Sequence, residues 1–196
     1  MARRRATTQP DPLRLIDVGG GDSLGVGEPA GSRIAVGEPF DAFYRREFPR
    51  LVVLAHGLAG QALAFDLAQE AMIVAYRRWD EVQSFDSASG WVRGVCANTA
   101  VSAVRRRLAE ARAIARLRAR PAVHQAEGDP DEVFWREVRR LPRRQAQVVG
   151  LHYALDMSVA DVAAALGCAE GSVKAHLFRA RRTLAARLAP DDEEWQ

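Results

Sequence analysis

Apolar positions at three- and four-residue intervals predict a helix from Phe40, through Phe43, Phe48, Leu51, Val52, Leu54 and Ala55, with Asp41 near its start to cap or complement the N-terminus. Gly57 and Gly60 interrupt that pattern. A second helix is expected over 61–80, where Leu63, Leu67, Met72, Ile73, Val74 and Tyr76 make one broad apolar face and Asp66, Gln69 and Glu70 cluster opposite. Residues 81–89, EVQSFDSAS, are polar around the single ring of Phe85 and predict a loop. A third helix should run from Ala88 or Gly90 through Arg118, with Trp91, Val92, Val95, Ala100, Val101, Val104 and Leu108 on one side. Its second half is a rod of arginines.

Residues 119–130, ARPAVHQAEGDP, lose all periodicity and have the composition of a linker, so a boundary is expected between a domain over 38–118 and a second over 131–189. The second domain opens with DEVFWREVRRL, breaks at Pro142, which can start the next helix, and continues through Val148, Val149, Leu151 and Tyr153. Over 158–188 two short helices flank a tight turn. Ala163 lets the helix axes approach, Gly167 can take the positive φ that ends the first helix, and Val173 plugs the angle between them. Val162, Leu166 and Leu177 complete a buried seam, leaving Lys174, Phe178, Arg179, Arg181 and Arg182 to the outer faces. A basic helix presented in this way suits the major groove of DNA. No segment alternates in the manner of a strand, so the fold class is all-α, two small helical domains with a helix-turn-helix in the second.

Composition narrows the function. Hydrophobic residues at 48% and charged residues at 27% are ordinary for a globular chain, and the formal charge is only +3. The charge is uneven: residues 101–120 hold seven arginines against one glutamate, while the segment 190–196 is an acidic tail. Basic runs attract phosphate, although a solvated helix face would look the same. Residues 1–37 are rich in glycine and proline and read as a flexible extension, within which Leu13, Leu15 and Ile16 form a candidate docking segment. Arg3 to Arg5 precede polar, proline-bearing sequence rather than a signal-peptide core, and no apolar run reaches the length of a membrane span, so a cytoplasmic location is expected. Cys96 and Cys168 have no ligand spacing and read as reduced filler. His56, His124, His152 and His176 show none either, so neither a metal nor a cofactor is expected.

Three segments, FDLAQEAMIVAYRRWDEV, SGWVRGVCANTAVSAVRRR and LPRRQAQVVGLHYALDMSVADVAAALGCAEGSVKAHLFRARRTL, occur in this order. Over about 40–188 the chain resembles the extracytoplasmic-function sigma factors, the small two-domain initiation subunits of bacterial RNA polymerase. The resemblance implies a non-catalytic subunit that binds core polymerase, through its beta and beta-prime subunits, together with promoter DNA, and that is commonly held inactive by an anti-sigma factor. It assigns Asp66, Gln69 and Glu70 to docking on a coiled coil of the polymerase clamp. It assigns Phe85 and Asn98 to a pocket that holds a base extracted from the −10 element, with Arg105, Arg106 and Arg107 along the duplex backbone. Ser172, Lys174, Phe178 and Arg179 match positions that meet the −35 element. Two residues depart from the family, Ala175 where serine is frequent and His176 where arginine is frequent, and this puts the promoter sequence in doubt rather than the binding mode.

By residue chemistry alone other readings stay open. The acidic strip on the second helix could be a solvated face, Phe85 could anchor its loop, and Asn98 could cap a backbone group. A free-standing helix-turn-helix regulator would leave the first domain unexplained and shows no heptad for dimerisation. A recombinase or nuclease would need a catalytic cluster, and residues 40–118 offer none.

Overall fold

The computed structural model describes residues 38–117 and 129–189. The 1–37 extension, the 190–196 tail and all but the last two residues of the expected linker lie outside the described residues. Among the described residues the regular structure is entirely helical: α1 (Phe40–Ala59), α2 (Gln61–Arg77), α3 (Trp79–Val82), α4 (Ala88–Leu117), α5 (Pro130–Arg139), α6 (Arg143–Val149), α7 (Val159–Leu166) and α8 (Glu170–Leu188), with a π-helical turn over Gly150–Ala154 between α6 and α7.

Local chemistry explains most boundaries. Pro39, extended at φ −60° and ψ 143°, precedes α1; Asp41 lies in the first turn, where its charge complements the helix dipole without capping by a side-chain hydrogen bond. The helix runs on through Gly57, which the sequence pattern marks as an interruption, and ends at Gly60, whose φ of 82° is open to glycine. Asp129 caps α5, its Oδ1 accepting from Asp131 N at 3.1 Å ahead of Pro130 in the first turn. Ser158 caps α7 by accepting from Asp161 N at 3.1 Å. Gly167 ends α7 in the left-handed conformation, φ 61° and ψ 43°, while Cys168 N donates to Ala163 O at 3.0 Å.

Helices α1, α2 and α4 pack around Leu51, Leu54, Leu58, Ala68, Met72, Trp91, Val92 and Val95, all buried. Glu47, only 1% exposed, ties α1 to α4: its carboxylate accepts from Arg93 Nε at 2.9 Å and from Ser89 Oγ at 2.9 Å. Val138, Leu141, Val148, Leu151, Val162, Leu166, Val173 and Leu177 fill the second domain, and the two cores are continuous. Contact between the domains runs from α1 to α5 and from α4 to α6 and α7.

Three further expectations need correction. Ile73 and Tyr76 do not join the apolar face of α2; they are 44% and 65% exposed, because the buried side is already filled by Leu67, Ala68, Ala71, Met72 and Ala75. The expected loop begins inside a helical turn, α3, whose Val82 is buried. Leu108 is exposed because α4 outruns the core that its first half packs against.

Candidate nucleic-acid interface

Helix α8 presents its polar side to solvent. Val173, Leu177, Ala180 and Leu184 are buried along one stripe, and Ser172, Lys174, Phe178 and Arg179 are all exposed. At about 100° per residue they fall as two rows, Lys174 with Phe178 and Ser172 with Arg179. Phe178 is 64% exposed, a ring among the charged side chains of this face. Lys174 lies 3.7 Å from Glu170, a surface pair that holds it only weakly. Between the two rows stands Arg182, which lines a groove of about 570 Å³ with Arg179, Gln145, Thr183, Ala186 and Arg187. Arg181 turns away instead: its Nε donates to Tyr153 Oη at 2.7 Å and its guanidinium lies 5.8 Å from that ring.

On α2, Asp66, Gln69 and Glu70 form an exposed strip, as i, i+3, i+4 spacing requires. Ile73 continues the strip, and Phe65, 58% exposed, and Tyr76 flank it, so the acidic groups sit beside apolar side chains. Sequence reasoning missed this apolar rim because it counted hydrophobic residues as inward-facing. Phe65 packs edge-on against Phe48, ring centroids 5.1 Å apart, which holds the rim in place.

The two proposed pocket residues are inside the protein. Phe85 is buried with its ring 5.8 Å from that of Trp91. Asn98 is fully buried on α4, and its Oδ1 accepts from Gln147 Nε2 of α6 at 2.5 Å, while its Nδ2 has no hydrogen-bond partner. Gln147, equally buried, was not singled out from the sequence; its signal was an amide directly before the apolar run of Val148 and Val149.

Arg105, Arg106 and Arg107 are exposed on α4 beyond the core. Arg105 reaches the second domain electrostatically: burial, then Arg144, then Arg105 hold the Arg143 guanidinium below its ordinary pKa. His176 on α8 is likewise held below its ordinary value by burial, then by Arg179 and Arg144. Basic groups therefore run continuously from α4 across α6 to α8. Among the described residues no group of three or more His, Cys, Asp or Glu side chains could hold a metal ion, and no helix is long and apolar enough to cross a membrane.

Comparison with known proteins places these surfaces in context. Residues 43–110 match the family described as Sigma-70 region 2, and residues 131–184 match Sigma-70, region 4. The ECF RNA polymerase sigma factor SigM of Mycobacterium tuberculosis is 32% identical over 163 residues, 81% of this chain and 80% of that protein. The RNA polymerase sigma-E factor of Streptomyces coelicolor is 32% identical over 130 residues, 66% of this chain and 73% of that protein. Among solved structures, the sigma factor RpoE of Bartonella quintana, crystallised with the anti-sigma factor NepR, superposes with a TM-score of 0.58 at 26% identity, covering 78% of this chain and 98% of that one. CnrH, in complex with the cytosolic domain of CnrY, shares the fold with a TM-score of 0.55 at 20% identity, covering 78% of this chain and 88% of that one.

Proposed function

The chain belongs to the extracytoplasmic-function sigma factors, alternative sigma factors that direct promoter-specific initiation by bacterial RNA polymerase, and from that membership we propose how its surfaces divide the work. Residues 38–118 act as region 2 and 131–189 as region 4. Asp66, Gln69 and Glu70 dock on core polymerase, and the neighbouring Phe65, Ile73 and Tyr76 supply the apolar area such docking buries. Exposed rings beside acidic groups support this reading, because interface cores are enriched in aromatic residues.

Helix α8 enters the major groove of the −35 element. Arg179 reads a guanine edge or clamps a phosphate, Lys174 holds phosphate, and Phe178 and Ser172 supply the remaining contact. The observation that carries this is the exposure of all four side chains on a helix whose buried stripe docks it against the rest of the helix-turn-helix. At the −10 element Phe85 and Asn98, both buried in the free chain, receive an extracted base once a rearrangement exposes them, while Arg105, Arg106 and Arg107 follow the backbone. Extraction costs a few kcal/mol of stacking, which contacts in the polymerase complex offset, so the free chain binds duplex promoter poorly. Sigma factors are non-catalytic initiation subunits; this chain acts in the cytoplasm and leaves chemistry to the polymerase. An anti-sigma factor is the expected regulator, since the RpoE structure at 26% identity holds one.

The test is run-off transcription with core polymerase on a promoter library, with the wild type, Asn98→Ala and Arg179→Ala. Discrete transcripts that require the protein are expected. Arg179→Ala should lower their yield about tenfold, the low end of losing one bidentate base contact, and Asn98→Ala should impair melting while leaving upstream binding intact. Tight duplex binding with neither transcripts nor a complex with core would overturn the assignment of these surfaces.

A further inference from the structure

Helix α2 shows solvent a face patterned in charge as well as in apolar surface. Glu70, Ile73 and Arg77 are exposed and stand in one row at i, i+3 and i+7, so an acid and a base lie about 10 Å apart along the axis with an apolar side chain between them. Among the described residues no ion pair engages Asp66, Glu70 or Arg77. Tyr76, 65% exposed, borders the row, and its ring lies 5.0 Å from that of Phe40, the first residue of α1. The chain therefore enters the first domain, at Glu38 and Pro39, close to the Arg77 end of this face. Ahead of that entry the sequence carries an apolar segment so far without a role, in which Leu15 and Ile16 stand between Arg14 and Asp17. That base and acid are three residues apart, about 10 Å in extended chain. When the segment runs back along α2 from the entry, the two rows match with opposite signs. Asp17 is 21 residues ahead of Glu38, and a glycine-rich chain of that length spans about 25 Å on average, enough to reach any point of the row.

We propose that residues 14–17 of this chain dock on its own α2, Asp17 against Arg77, Arg14 against Glu70, and Leu15 with Ile16 against Ile73 and Tyr76, and so occupy the surface assigned above to core polymerase. The docking stands on this match of charge and spacing, whereas its effect on polymerase binding rests on the role proposed for Asp66, Gln69 and Glu70. Exposed ion pairs contribute under about 1 kcal/mol each and the apolar contact is small, so the segment holds weakly and depends on being tethered. The tether gives it an effective concentration in the millimolar range, which turns an intrinsic Kd of about 0.1 mM into about a tenfold excess of docked over free segment. A second copy offers the same segment only at its solution concentration, which is why the chain's own segment is the occupant. Core polymerase then binds the undocked fraction alone and loses apparent affinity by the same factor.

The test uses the full chain in a Cys168→Ser background, in which the remaining Cys96 is buried, with a nitroxide on Thr8→Cys. Amide resonances of Phe65, Asp66, Gln69 and Glu70 should broaden while those of α8 do not. The double variant Leu15→Asp, Ile16→Asp, remote in sequence from both helical domains, should abolish the broadening and tighten binding to core polymerase about tenfold. Glu70→Arg should weaken the broadening, and Arg14→Glu added to it should restore the effect, an exchange that a nonspecific apolar contact does not show. No broadening, or broadening confined to isotope-enriched chain mixed with separately labelled chain, overturns the proposal, the second result giving the surface to another copy. Loss of the broadening with no gain in core binding overturns the occlusion. If instead Asp66→Arg leaves core binding unchanged, the assignment of α2 to polymerase fails, and the broadening with its charge exchange decides the docking alone.

Discussion

His176 carries a consequence that its neighbours impose. Its Nδ1 is buried without a hydrogen-bond partner, and burial, Arg179 and Arg144 all disfavour the imidazolium, so the folded pKa lies below the ordinary 6.5. The unfolded chain takes up that proton more readily, and stability therefore falls as pH drops through about 6.5 while being unaffected well above it. Thermal unfolding should show a larger loss from about pH 7.5 to about pH 5.5 in the wild type than in His176→Gln; equal losses would exclude this histidine as the source. The sequence marked His176 as a departure from the family's arginine and as a histidine without ligand spacing. That the position is half-buried and crowded by two guanidiniums depends on α6 lying against α8, which no local pattern encodes. Cys96 is the opposite case: it read from the sequence as reduced filler, and the folded chain seals the thiol completely, burial pushing its pKa up to about 12.

At the scale of elements, the ion pair of Glu47 with Arg93 sets the relation of α1 to α4. The carboxylate has almost no exposed surface, whereas Arg46 and Arg50, which also approach it, remain largely in water. Removing one member of a buried pair strands the other, so Glu47→Ala should lower unfolding stability by about 3 kcal/mol, measured by urea denaturation, while Arg50→Ala should change it by less than about 0.5 kcal/mol. Helix starts and stops at Asp129, Ser158 and Gly167 were readable because capping chemistry is local. The π turn, the single turn of α3 and the passage of α1 through Gly57 were not, because each answers to a neighbour elsewhere in the chain.

For the whole molecule, the seam between the domains carries a buried amide hydrogen bond between Asn98 and Gln147, with like charges close by, where Arg105 of the first domain acts on Arg143 of the second. Screening relieves that repulsion. Raising salt from about 0.05 to about 0.5 M should therefore keep or increase energy transfer between dyes on α2 and α8, even as it weakens DNA binding by counterion release. A fall with salt would mean that opposite charges hold the domains together. The same seam joins the basic groups of α4, α6 and α8 into one band that neither domain forms alone.

The sequence by itself determined the all-α class, the helix-turn-helix with its Ala163, Gly167 and Val173, and the exposed strips of α2 and α8, because periodicity, capping and turn chemistry act over a few residues. Membership of the sigma factors followed from three segments in order. Only the tertiary structure decided that Ile73 and Tyr76 face solvent and that Phe85 packs on Trp91. It alone decided too that Asn98 is spent on Gln147, 49 residues away. Those outcomes depend on which faces are already filled when helices distant in the chain meet, and that competition for buried surface is invisible in any single helix.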